Sequence, residues 1–121
     1  MTNSDPSRVV TDYQMAKLAR AIEHFRTLDK EIPAQVIATF LYVASHDDCF
    51  KGDLEKALTF STASGSRNTD WLSAFHRLNK PGLGLIIKYR DPNNRRRQVL
   101  QLSPKGRKLV QELKEILYTE V

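Results

Sequence analysis

The sequence predicts a mainly α-helical chain carrying one β-hairpin, an α+β fold built as a single domain. Three observations lead there. Apolar residues recur at steps of three and four in several separate stretches, which is the period of amphipathic helices. One stretch, residues 85–102, reads instead as two strands around Asp91-Pro92-Asn93-Asn94, a tetrad dense in turn formers. The 121 residues, 40% of them apolar, suit one packed core, and a lone cysteine cannot staple it.

Residues 1–10 read as a loose polar leader, with Pro6 and no periodicity. They show neither a basic start nor an apolar stretch, so no signal peptide is expected, and no apolar run approaches the ~18 residues of a membrane span. The expected location is the cytoplasm. From residue 11 the pattern turns helical: Leu18, Ala21, Ile22, Phe25 and Leu28 form one face, and Thr11 or Asp12 caps the start. Pro33 suits the first position of a second helix, whose broad apolar face is Val36, Ile37, Phe40, Leu41 and Ala44. The cluster His46-Asp47-Asp48-Cys49 ends it, and residues 51–58 form a short third helix burying Leu54, Ala57 and Leu58.

A turn over residues 58–61 leads to a fourth helix, 62–72, with Ser61 as its cap. This helix is unusually polar. Its first two turns are small or hydrophilic, with bulky apolar groups only at Trp71 and Leu72, and Gly65 costs it about 1 kcal/mol against alanine. After a loop over 73–84 come the strands, and then Ser103-Pro104 open a last helix with Leu109, Val110, Leu113, Ile116 and Leu117 on one face. No second hairpin and no internal repeat is expected.

The formal charge of +5 is unevenly placed. Residues 1–66 hold 7 basic and 9 acidic side chains, and residues 109–121 hold 1 and 3. Residues 67–108 hold 11 basic side chains and only two acids, Asp70 and Asp91, a net of +9. Lys88, Arg90, Arg95, Arg96 and Arg97 cluster on the hairpin, where exposed like charges repel unless a polyanion balances them. Lys105, Arg107 and Lys108 follow at the wrong end of the last helix for its macrodipole, which suits phosphate contact better than helix stability.

The order helix, helix, short helix, turn, polar helix, hairpin describes a winged helix-turn-helix, whose recognition helix lies in the major groove. On the polar helix, Ser64, Arg67 and Asn68 supply donors and acceptors for base edges. Enzyme readings find no support: His24, His46 and His76 lie on separate segments without ligand spacing, and no phosphate-binding glycine loop or carboxylate pair is evident. No cofactor or metal is expected. Cys49 reads as an inert thiol rather than a redox sensor.

Residues 63–109 resemble the DNA-binding part of the MarR family of winged-helix regulators. The resemblance rests on Ala-Ser-Gly-Ser-Arg-Asn at 63–68, Gly-Leu-Gly-Leu-Ile at 82–86, Asp-Pro-Asn-Asn-Arg-Arg-Arg at 91–97 and Leu-Ser-Pro-Lys-Gly-Arg at 102–107. It implies a sequence-specific, homodimeric transcriptional regulator. The DNA-binding module would be 33–102, with helices 11–29 and 103–118 as dimerisation helices. Ser64, Ser66, Arg67 and Asn68 would meet the major groove, and Arg95, Arg96 and Arg97 the backbone or minor groove, helped by Lys88, Arg90 and Lys105. The seam would be Leu18, Ile22 and Phe25 with Leu109, Leu113, Ile116 and Leu117. Two positions depart from the pattern: Asn94 stands where the family has Asp, and Gly65 where it has an apolar residue. Family members often bind small phenolic effectors, but no such pocket is readable in this sequence. A winged-helix adaptor for a protein partner and a nonspecific DNA-binding accessory protein are the alternative readings.

Overall fold

The structure, a computed structural model, describes residues 9–76 and 80–119. Most of the expected leader therefore lies outside the described residues. Among the described residues, five helices surround a small antiparallel sheet: α1 (Tyr13–Leu28), α2 (Ala34–Ser45), α3 (Lys51–Leu58), α4 (Thr62–Leu72) and α5 (Pro104–Tyr118). The strands are β1 (Cys49–Phe50), β2 (Phe75–His76), β3 (Lys80–Pro81), β4 (Ile86–Asp91) and β5 (Asn94–Leu102). Among the described residues no helix is long and apolar enough to cross a membrane.

Local chemistry sets the helix ends. The Asp12 carboxylate accepts from the Met15 N–H at 3.1 Å, Ser61 Oγ from the Ser64 N–H at 3.1 Å, and Ser103 Oγ from the Gly106 N–H at 3.0 Å. Pro33 differs by one position from the expectation: it is the N-cap of α2, with φ −70° and ψ 150°, because its extended ψ belongs outside the helix. Thr59 ends α3 in the left-handed region at φ 58°, and the Phe60 N–H reaches back to the Glu55 carbonyl at 2.8 Å. This tight closure turns the chain into α4 within three residues.

The core gathers one apolar residue or more from every helix and from the wing: Phe25, Val36, Phe40, Leu54, Leu72, Leu85, Leu100, Leu109 and Leu113 are all buried. Phe25 meets Phe40 edge to face at 5.7 Å between ring centroids. Thus α1 is anchored on α2, while α5 packs along α1 and His24 hydrogen-bonds Glu112 at 2.9 Å across that seam.

The wing hairpin runs in register from Ile86 opposite Leu102 to Tyr89 opposite Val99, with an irregularity at Arg90 and Asp91. It is not the only pairing, contrary to the expectation of a lone hairpin. Cys49 and Phe50 add a third strand against Leu100 and Val99, and Phe75–His76 pairs with Lys80–Pro81 within the expected loop. Both pairings are two residues long. That is too short for the alternation that marks a strand in sequence.

Candidate nucleic-acid interface

Residues 67–108 contain two acids, Asp70 and Asp91, and a wing base engages each. Asp91 is buried at the wing's tip, where Arg97 Nη2 donates to Oδ2 at 2.9 Å and the Asn93 N–H to Oδ1 at 3.0 Å. Arg97 also lies over the Phe50 ring, 4.1 Å from its centroid. Asp70, on α4, takes Lys88 Nζ at 2.6 Å, and the same ammonium donates to Thr69 Oγ1 at 3.0 Å. Lys88 therefore ties the wing to α4.

The remaining wing cations face outward. Arg90 Nη1 donates to the Arg95 carbonyl at 2.9 Å and is exposed, as are Arg95 and Arg96. Among the described residues no acid pairs with Arg95 or Arg96. Asn94 accepts the Arg96 backbone N–H at 3.2 Å, so it shapes the tip without adding charge. At the start of α5, Lys105 Nζ donates to the Leu83 carbonyl at 2.8 Å and Arg107 Nη1 to the Leu102 carbonyl at 3.2 Å. Carbonyls satisfy donors but do not neutralise charge, so the positive field of this surface persists.

On α4, Gly65, Asn68, Thr69 and Leu72 are buried, while Thr62, Ala63 and Arg67 are exposed and Ser64 and Ser66 are half-buried. Asn68 does not stand on the outer face: it is 5% exposed, and its amide donates to Gln35 Oε1 of α2 at 3.1 Å. The outward face includes Thr62 with Ser66 and Ala63 with Arg67, pairs one turn apart. Thr62 and Ala63 were not among the expected site residues. Both lie in the first turn of α4, directly after the Ser61 cap that the sequence already marks.

A groove of about 360 Å³ joins this helix to the wing, lined by Lys51, Glu55, Thr62, Ser66, Arg90 and Arg96 among others. Its floor is an ion pair. Lys51 and Glu55, one turn apart on α3, bond with side chains only 9% and 14% exposed, and Lys51 Nζ also lies 3.5 Å from the Thr62 carbonyl. Gly65 sits directly above: an added Cβ would meet Glu55 Cγ at 2.6 Å and Cδ at 2.8 Å. The glycine in mid-helix thus has a packing reason, the close crossing of α3 and α4 over a buried carboxylate.

Of the expected seam residues, Phe25, Leu109 and Leu113 lie in the chain's own core cluster, where Phe25 packs edge to face on Phe40. Leu18, Ile22 and Leu117 are exposed by 51%, 39% and 41%, and Ile116 is partly buried. Cys49 is buried beside the Leu100 carbonyl, and burial pushes its thiol up to about 11, with a backbone hydrogen bond opposing and Asp53 and Asp48 adding to the rise. Little thiolate, the reactive form, exists there at neutral pH.

No protein-family model matches the chain, and no curated protein matches it in sequence. Solved structures do. MepR of S. aureus, in a DNA complex, aligns over 84% of this chain and 73% of its own at 24% identity, with a TM-score of 0.63. A MarR transcriptional regulator from Methanosarcina mazei Go1 aligns over 86% and 66% at 20% identity, with a TM-score of 0.61. A cysteine-to-serine mutant of E. coli MarR, complexed with operator DNA, aligns over 88% and 69% at 17% identity, with a TM-score of 0.63. The chain spans about two thirds to three quarters of the length of these proteins. With its five helices and the wing on a three-stranded sheet, the chain has the winged-helix fold of the MarR-type regulators.

Proposed function

We propose that the protein is a transcriptional regulator that binds double-stranded DNA as a homodimer, with α4 in the major groove and the wing on the backbone or minor groove. The observation that carries this reading is the exposed Arg96, unmatched by any described acid, lining one groove with Arg90 and with Thr62 and Ser66 of α4, while Arg95 is exposed beside it on the wing. Wing cations supply affinity through phosphates, and Arg67 supplies sequence choice, since a bidentate arginine–guanine contact is worth about 1–3 kcal/mol of discrimination. The fold is that of proteins solved with DNA, which supports the same reading.

The exposed apolar side chains of α1 and α5 support the dimer in this reading. Leu18, Ile22 and Leu117 stand with Met15, which is 57% exposed, along the two terminal helices. A two-fold dimer would place its half-sites one helical turn apart, about 10 bp. Ile22→Glu is expected to convert the dimer to a monomer in analytical ultracentrifugation and to abolish tight binding to two-half-site duplexes. A wild-type protein that sediments as a monomer at tens of micromolar removes the dimer from this reading.

Selection of bound sites from random duplexes, followed by salt titration, tests the function itself. Arg96→Ala is expected to weaken binding to every duplex and to flatten the salt slope by about 0.9, one phosphate's worth. Arg67→Ala is expected to cost about 1–3 kcal/mol on the selected site alone. Equal affinity of the wild type for random and selected duplexes would leave a nonspecific accessory protein. Failure to bind any duplex at low salt would favour an adaptor for an acidic protein surface.

A further inference from the structure

Arg67 is the cation on the exposed face of α4, and two neighbours govern where its guanidinium goes. Ser61 Oγ caps the helix by accepting the Ser64 N–H, and its hydroxyl donates onward to Ser64 Oγ at 3.1 Å. Arg67 Nη2 donates to the same Ser64 oxygen at 3.3 Å. Ser64 thus accepts from both sides, and the guanidinium is drawn back along the helix toward its N-terminal turn. That turn is the end of a recognition helix nearest the base edges.

The second neighbour is a competitor. Asp70 lies one turn beyond Arg67, at the spacing where an Arg–Asp pair would pull the guanidinium the opposite way, toward the helix C-terminus. Lys88 reaches this acid from across the chain: its ammonium, mostly shielded from water, bonds the Asp70 carboxylate at 2.6 Å and anchors on Thr69 at 3.0 Å.

We propose that Ser64 and Lys88 are positioning residues for Arg67, Ser64 by holding its guanidinium toward the N-terminal turn of α4 and Lys88 by occupying the acid that competes for it. Both were expected to touch DNA themselves; here they act through the arginine. The inference rests on the DNA-binding reading for its consequence, but its first test does not involve DNA. Immobilising a long side chain before binding removes an ordering cost that otherwise falls on the complex.

Two measurements test it. In the free protein, side-chain Nε–H relaxation by NMR is expected to show an ordered Arg67 in the wild type and a mobile one in Ser64→Ala, with Ser64→Thr restoring order by keeping the hydroxyl. Arg67 order unchanged in Ser64→Ala overturns the proposal. With duplexes, Ser64→Ala is expected to weaken the selected site about fivefold, the magnitude of one mobile side chain, leaving random duplexes and the salt slope unchanged. Lys88→Met is expected to lower the same discrimination. Neither effect survives in an Arg67→Ala background. A Ser64→Ala loss that persists there, or that falls equally on all duplexes, overturns the proposal, because Ser64 then acts on DNA or on the fold directly. If Arg67 is ordered through Ser64 and yet no duplex binds, the positioning stands and the DNA reading falls.

Discussion

Gly106→Ala is expected to destabilise the protein by about 3 kcal/mol, lowering Tm by roughly 10 °C in a thermal scan. Gly106 is buried on the first turn of α5, and an added Cβ would run into the Leu85 carbonyl oxygen and lie 3.1 Å from its carbon. The obstacle is backbone, not a side chain with rotamers to spare. That carbonyl also accepts the Ser103 N–H at 3.0 Å, and the Ser103 hydroxyl donates to the Gly84 carbonyl at 2.6 Å. Shifting Leu85 to make room would therefore break the joint between the wing and α5. Gly52→Ala is the matched control: its Cβ would meet nothing within 4 Å in an exposed helical turn. There the same substitution is expected to stabilise by about 0.5–1 kcal/mol, because the backbone loses less entropy on folding. Equal effects at the two sites would contradict the close approach at Gly106.

Glu55→Ala is expected to cost about 3–5 kcal/mol, since it strands the Lys51 ammonium in a site where its side chain is only 9% exposed. Urea titration reads the loss directly. The two-helix crossing above the pair makes a sharper prediction. Gly65→Ala alone should also be costly, because its Cβ takes the space of the Glu55 side chain and drives it from Lys51. In a Glu55→Ala background that side chain is gone, and Gly65→Ala should cost little or help, by up to about 1 kcal/mol of helix propensity. The two changes are therefore expected to be strongly non-additive. Additive effects would mean that Gly65 serves something other than room for Glu55.

The helices were legible in sequence because their signals are local. Ser61 and Ser103 cap as expected, residues 51–58 and 62–72 form α3 and α4, and the tetrad at 91–94 turns the hairpin. What a residue faces was less legible. Asn68 and Arg67 are adjacent in sequence and both polar, yet one bonds Gln35 inside while the other stands in solvent. Phe25 and Ile22 lie on one helical stripe, yet Phe40 covers only the former. Composition and period do not separate them, because burial on a helix is decided by which neighbour arrives.

The sequence by itself determined the order of the five helices and the wing among the described residues, the caps at Ser61 and Ser103, and the concentration of charge: eleven bases and two acids within residues 67–108. These depend on residue type and on spacing over a few positions. Only the tertiary structure decided what that charge does. It brings Lys88 to Asp70 from 18 residues away and Arg97 to Asp91 across the wing, and it leaves Arg95 and Arg96 facing outward. It also turns Gly65 from a weakness of α4 into the room that a buried ion pair requires. Coulomb attraction and steric exclusion act between atoms a few ångströms apart, and the fold sets which atoms those are.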